Sequence, residues 1–291
     1  MAVAAQAPVR GSSRGGGRSI GAGWLIATYG LLAFFTLWTT IPFFWMFIAS
    51  IKTNKEIYQD FTFFPRQVYW GHYYDLITGY YGVWLRNSTV VSVSATILSI
   101  VLGSFGAYAI TRLQFAGRKM IAVGLVFTYL LPASLLFIPL FQIVANAGLS
   151  NTVAGLMLVY PSFTLPFCTW MLMSYFRNIP IELEEAALID GCGRLGVLFR
   201  IVLPLAAPAL VVVCLFSFTN AWNEFLYALV FTSSREMQTV TVGLALMQGE
   251  DVFYWGKMMA GALLTAIPPV VMYTLAQRLV IQGLTMGGVK G

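Results

Sequence analysis

Charge is what this sequence has least of. Asp, Glu, Lys and Arg together make up 10% of its 291 residues, against about 25% in an ordinary soluble domain. So few charges cannot cover a soluble surface of this size, and lipid must solvate much of the chain. Histidine is scarcer still. His72 stands alone, without neighbours of ligand type, and reads as an exposed loop residue. Cys168, Cys192 and Cys214 show no C-x-x-C spacing, which argues against a disulfide scaffold and a thiolate metal site. The sequence contains neither H-E-x-x-H nor G-x-x-x-x-G-K-[ST], so metal-dependent hydrolysis and nucleotide binding have no motif here. Gly11-Ser12-Ser13-Arg14-Gly15 matches G-x-S-x-G, but a nucleophile elbow needs a strand-to-helix turn, not a Gly/Ser tail.

Apolar residues are abundant: 58% of the chain, with a mean hydropathy of +0.77. Six runs reach the roughly 20 residues that cross a bilayer as helix: 24–51, 87–111, 120–145, 153–176, 205–231 and 258–281. They do not alternate as barrel strands would, and backbone polar groups in lipid must pair internally. The expected fold is all-α, a polytopic membrane protein with six transmembrane helices. Residues 1–23, rich in Ala, Gly, Ser and Arg, are expected to form a flexible tail. The run after Trp24 is too long for a cleaved signal peptide. A transmembrane domain over 24–282 follows, then a glycine-rich tail over 283–291 that includes Thr285, Gly287, Gly288 and Lys290.

The basic residues set an orientation. With six spans, Arg10, Arg14, Arg18, Arg112, Arg118, Lys119, Arg177, Arg194, Arg200, Arg278 and Lys290 fall on one side. Lys52, Lys55, Arg66, Arg86, Arg235 and Lys257 fall on the other. The richer side is the cytoplasmic one, which puts both termini and loop 177–204 in the cytoplasm. Basic residues beside apolar runs fit membrane topology and give no reason to expect nucleic-acid binding.

Loop 177–204 is a charged, small-residue segment between apolar ones. Pro180 suits the first position of a short helix. Glu182, Glu184 and Glu185 load its first turns with the charge the helix dipole favours, and Gly191 fits a left-handed residue just past its end. A second short helix is expected from about Arg194 to Leu203. The ridge Ala186, Ala187, Leu188, Ile189 allows close approach of a partner. An amphipathic helix lying on the membrane is the alternative, but its acidic first turns would be repelled by anionic lipid.

The spacing Glu185-Ala186-Ala187, Gly191, Ile201 and Leu203-Pro204 resembles the motif of permease subunits in binding-protein-dependent ABC importers. Asn87-Ser88, Ala107-Tyr108-Ala109, the segment Arg112 to Lys119, Ala221-Trp222-Asn223-Glu224-Phe225 and the ending Gly283 to Gly291 are similar to the carbohydrate, maltose-type branch. The resemblance implies half of a sugar pathway in the cytoplasmic (inner) membrane. It implies a second permease subunit, two ATPase subunits that bind ATP and Mg, and an extracytoplasmic solute-binding protein. No cofactor and no catalysis belong to this chain on that reading. Coupling to the ATPase falls on Glu185, Ala186, Ala187, Leu188, Asp190, Gly191, Ile201, Leu203 and Pro204, and the tail 283–291 is placed near the ATPase pair.

The fifth run holds Ser217, Asn220, Asn223, Glu224 and Tyr227. Of these, Ser217, Asn220, Glu224 and Tyr227 share one helical face. Glu224 is the only acidic residue in the six runs, and an ionisable group in a span faces protein or water. The stripe either lines the pathway or a subunit interface, or is interhelical glue. Ser92, Thr96, Ser99 and Gly103 in the second run read as a packing face. The aromatic-rich loop 52–86 reads as interfacial. Loop 232–257 and that loop are expected to touch the binding protein. An ion-gradient-driven secondary transporter is the rival reading, and would call for more buried charge than Glu224 and an inverted repeat. An intramembrane enzyme would need a constellation of His, Asp or Ser on facing spans, and the six runs contain no histidine.

Overall fold

The computed structural model describes residues 22–59, 62–247 and 254–288, and these residues contain helices and no strand. The chain falls into two compact units, Met1–Trp45 and Met46–Gly291. The first contributes most of α1 (Ala22–Ser50), which carries no charged residue.

The second unit begins with a small polar-stitched layer. α2 (Asn54–Tyr58) is capped by Thr53, whose side chain accepts the Glu56 N–H. α3 (Gly71–Thr78) follows. Ser50 Oγ and Tyr73 Oη lie 2.8 Å apart, and Tyr69 N–H donates to Ile51 O at 2.9 Å. His72 belongs to this layer, not to an exposed loop. It is 4% exposed, and its Nε2 donates to Lys52 O at 2.9 Å. Burial lowers its pKa, and the bond to Lys52 O opposes that shift. Phe63, Phe64, Trp70 and Tyr74 remain exposed around it.

α4 (Tyr81–Arg112) is the central helix. Its 32 residues span about 48 Å, more than the roughly 30 Å hydrocarbon core. α5 (Arg118–Leu130) and α6 (Phe137–Asn146) divide the expected span 120–145, with a 3-10 turn at Ala133–Leu135 between them. The cause is Pro132. It has no N–H, and it holds Leu131 extended at φ −69°, ψ 132°. α7 (Val153–Val159) and α8 (Pro161–Phe176) run on as one apolar stretch.

The loop helices are α9 (Ile181–Ile189), α10 (Arg194–Val197) and α11 (Leu203–Leu205), with a π turn at Leu198–Val202. α12 (Ala207–Asn223), α13 (Leu226–Phe231), α14 (Val240–Ala245) and α15 (Trp255–Gly288) complete the chain. α15 continues past residue 282, so helix occupies the backbone of 283–288, where composition suggests a tail.

Four helical stretches among the described residues are long and apolar enough to span: α1, α4, 153–176 and α15. The pair Arg194–Leu205 and Ala207–Asn223, bent by 81°, makes a fifth when counted as one. Proline at 204 and 208 brackets the bend, each removing a backbone donor.

The small residues of α4 do pack. Ser99 Oγ meets Thr164 Oγ1 at 2.6 Å. A Cβ on Gly103 would lie 3.4 Å from both the Cys168 Cβ and the Thr169 Oγ1, so α4 and α8 touch through backbone and short side chains. Ser217 on α12 bonds Cys168 Sγ at 2.8 Å and completes the three-helix contact.

Candidate functional site

Loop 177–204 is built of short helices packed on the helical core. Pro180 stands one residue before α9, as its N-cap with φ −56° and ψ 130°, not at the first helical position. The other end closes as the sequence suggests. Gly191 has φ +87°. Its N–H donates to Leu188 O, and the Cys192 N–H donates to Ala187 O at 2.9 Å. This pair of bonds is the Schellman arrangement, which needs a left-handed residue where glycine costs least.

α9 has two faces. Glu184 and Ala187, three residues apart, are 4% and 8% exposed and turn into a core with Phe176, Ile179, Val197, Leu198 and Val202. Glu185, Ala186, Leu188, Ile189 and Asp190 are exposed. The expected ridge is therefore split, with Ala187 serving as the anchor while its neighbours stay open to a partner. Ile201 and Leu203 are half-buried and pack on the same core, whereas Pro204 is exposed.

A buried guanidinium holds this loop. Arg112, the last residue of α4, donates from Nε to Glu184 Oε1 at 2.6 Å. Its Nη2 donates to Phe176 O at 2.7 Å and Ile179 O at 2.9 Å. Both side chains are at most 10% exposed. A buried carboxylate is stable only when paired and hydrogen-bonded, and the arginine fork supplies that while closing the carbonyls between α8 and α9. Neither Glu184 nor Arg112 stands out from the motif spacing. The usable signal was the three-residue step from Glu184 to Ala187, which puts both on one face.

The membrane polar group differs from one continuous stripe. α12 stops at Asn223, and Glu224 is extended at φ −65°, ψ 132°. Its Oε1 accepts the Tyr227 N–H at 2.8 Å, and its Oε2 accepts the Ala228 N–H at 3.0 Å and the Tyr160 hydroxyl at 2.8 Å. Glu224 thus starts α13 and ties it to the α7–α8 junction. The Tyr227 hydroxyl donates to Ala133 O at 2.7 Å.

A cavity of about 460 Å³ opens here, lined by Phe163, Thr219, Asn220, Asn223, Glu224, Phe225 and Tyr227 among others. Asn220 and Asn223 are exposed, and each donates one amide bond to a carbonyl four residues earlier. Their amide oxygens remain available. Amide and carboxylate oxygens beside aromatic rings can hydrogen-bond and stack against a polyhydroxylated ligand. Ser217 is not brought to this cavity: it is fully buried against Cys168. Of the C-terminal residues singled out above, Thr285, Gly287 and Gly288 fall in the backbone of α15, and Lys290 lies outside the described residues.

Comparison with known proteins agrees with this architecture. Residues 99–285 match the family model described as the binding-protein-dependent transport system inner membrane component. The chain is 42% identical over 270 residues to the inner membrane ABC transporter permease protein YcjP of Escherichia coli, covering 91% of this chain and 96% of that protein. It is 39% identical over 215 residues to the trehalose/maltose transport system permease protein MalG of Thermococcus litoralis, covering 74% and 77%. Among solved structures, a chain of a bacterial ABC transporter involved in import of the acidic polysaccharide alginate superposes with a TM-score of 0.75 at 23% identity. That match covers 91% of this chain and 99% of the other.

Proposed function

The chain belongs to the inner membrane component family of binding-protein-dependent transport systems, and on that footing we propose how it works as the permease subunit of a carbohydrate ABC importer. It forms half of a sugar pathway, the other half coming from a second permease subunit. Loop 177–204 faces the cytoplasm, as do both termini, in keeping with the excess of Lys and Arg on that side. The exposed face of α9, with Glu185, Ala186 and Ile189, seats in a groove of an ATPase subunit that binds the ATP and Mg. When two such ATPase subunits close, they carry α9 with them, and the pathway turns toward a solute-binding protein outside. The tail beyond residue 282 lies near the ATPase pair.

The observation that carries this reading is the division of α9. Ala187 and Glu184 lock it to the helical core, while Glu185, Ala186 and Ile189 are left exposed on a packed support. A helix that only rested on lipid would not need a buried ion pair behind it. Relatives named for trehalose/maltose and sulfoquinovosyl glycerol transport support a saccharide as cargo. The Asn220, Asn223 and Glu224 cavity is the place on this chain best suited to meet it.

The test is a mild-detergent pull-down of the tagged chain from its own cells, comparing wild type with Glu185→Arg. The expected result is recovery of a second multi-span protein and an ATPase with wild type, with the ATPase depleted in the variant. Absence of an ATPase from both samples would sink the reading and favour ion-coupled transport.

A further inference from the structure

α4 is fastened at both ends to loops that are far apart in the chain. At one end Arg112 holds Glu184 and the carbonyls of Phe176 and Ile179. At the other, Trp84 Nε1 donates to Arg235 O at 2.6 Å. Asn87 Nδ2 donates to Glu236 O at 2.8 Å and Gln238 O at 3.0 Å, and Ser88 Oγ accepts the Val240 N–H at 2.8 Å. Trp84, Asn87 and Ser88 are 5%, 2% and 2% exposed, so none of these bonds is traded easily for water. Apart from Glu184, the atoms gripped are main-chain atoms. The fastenings therefore fix where each loop runs, whatever side chains it carries.

Between the fastenings the helix is uninterrupted. Asn87 and Arg112 are 25 residues apart in one helix, about 37 Å along its axis. Because α4 is apolar and of spanning length, the loops at its two ends lie on opposite sides of the membrane. Among the described residues, each other candidate span contains a proline or a bend. α1 contains Pro42, α8 contains Pro166, α15 contains Pro268 and Pro269, and the loop-to-α12 path bends by 81°. α4 is unbroken and contains no proline; where Gly103-Ser104 and Gly106 could let it bend, it is packed against Cys168 and Thr169 of α8, which supports it as it carries a displacement from one end to the other.

We propose that α4 is the strut through which loop 233–240 and the coupling helix α9 sense one another, with Asn87 and Arg112 as its positioning residues. The inference rests on the reading of α9 as the ATPase handle. It adds that engagement of the solute-binding protein on the far side reaches the ATPase through this one helix. Contiguity by itself does not establish coupling between distant sites; non-additivity of mutations at the two ends does.

The experiment uses the whole importer, purified through this chain and reconstituted in proteoliposomes, with Asn87→Ala, Arg112→Lys, which keeps a cation beside Glu184 but gives up the planar fork that also spans the Phe176 and Ile179 carbonyls, and the double variant. Each is read for ATPase co-purification, thermal unfolding, and ATP hydrolysis with and without the solute-binding protein. Each single variant is expected to retain the ATPase yet lose about tenfold in stimulation by the binding protein, within the range of ordinary allosteric coupling. The double variant is expected to fall no more than about threefold below the worse single one. Ser88→Ala, which releases only the Val240 N–H, should move stimulation in the same direction and stands in if Asn87→Ala unfolds. A double variant whose loss is the product of the single losses would overturn the strut, as would full stimulation in Asn87→Ala or, if that variant unfolds, in Ser88→Ala. Absence of the ATPase from the wild-type preparation would instead defeat the reading of α9.

Discussion

Replacing Glu224 separates the two roles its position allows, scaffold and pathway. Its carboxylate accepts the N–H groups of Tyr227 and Ala228 and the hydroxyl of Tyr160. Tyr160 is fully buried, so removing its acceptor strands a hydroxyl, at a cost of about 1–3 kcal/mol. Tyr227 lines the cavity, where water can replace the carboxylate at its N–H, whereas Ala228 is fully buried. Losing both bonds resembles losing a helix cap, about 1 kcal/mol. Glu224→Ala is therefore expected to destabilise the subunit by about 2–4 kcal/mol. Glu224→Gln keeps one acceptor oxygen but presents an NH₂ group to a donor, so it should cost about half as much. Asn220→Ala, by contrast, removes only an exposed amide bonded to the carbonyl four residues before it, and should leave stability unchanged while lowering sugar uptake. Thermal unfolding of the purified subunit and uptake by proteoliposomes, run on the same variants, give both readouts. A Glu224→Ala protein that melts like wild type would refute the hydrogen-bond argument. Normal uptake in Asn220→Ala, with normal assembly, would remove that residue from the pathway.

Two further outcomes follow from single residues. Gly191 holds φ +87°, where an L side chain costs about 1–2 kcal/mol. Gly191→Val should therefore loosen the end of α9 and weaken ATPase co-purification, whereas Gly191→Asn, which tolerates that conformation, should keep it; equal retention in both would show the cap is dispensable. His72 is buried with a lowered pKa, from burial foremost, so the fold favours its neutral form. Its contribution is complete above the unfolded value of about 6.5 and is lost as pH falls through the lower folded value. Acidification from about pH 7.5 to 5.5 should then lower the melting temperature of wild type more than that of His72→Gln, and parallel curves would contradict this.

Much of loop 177–204 is legible in the residues, because its determinants are local. Proline at 180, three glutamates in the first turns and glycine at 191 describe one short helix through backbone rules that act over a few residues. The Ser92 to Gly103 stripe is legible for the same reason, since a period of three to four puts small residues on one face. The break at Glu224 was partly legible: Asn223 and Glu224 before Leu226–Phe231 resemble a helix start, but the surrounding apolar run reads as continuous helix. The burial of His72 and the partner of Glu184 were not legible. Glu184 depends on Arg112, 72 residues away, and Glu224 on Tyr160, 64 residues away. Such partnerships exist only after the helices have packed. Likewise Pro132 divides the third run while Pro166 sits inside an unbroken α8. The consequence of a proline in a span depends on what its neighbours supply.

The outer face of α9 is expected to touch an ATPase subunit. This contact is tested most directly by placing a photo-crosslinking amino acid at Ile189, which is 87% exposed on that face, and irradiating membranes of the native cells. The expected result is an adduct with an ATPase subunit that is lost when Glu185→Arg is added. Adducts with lipid alone would contradict it.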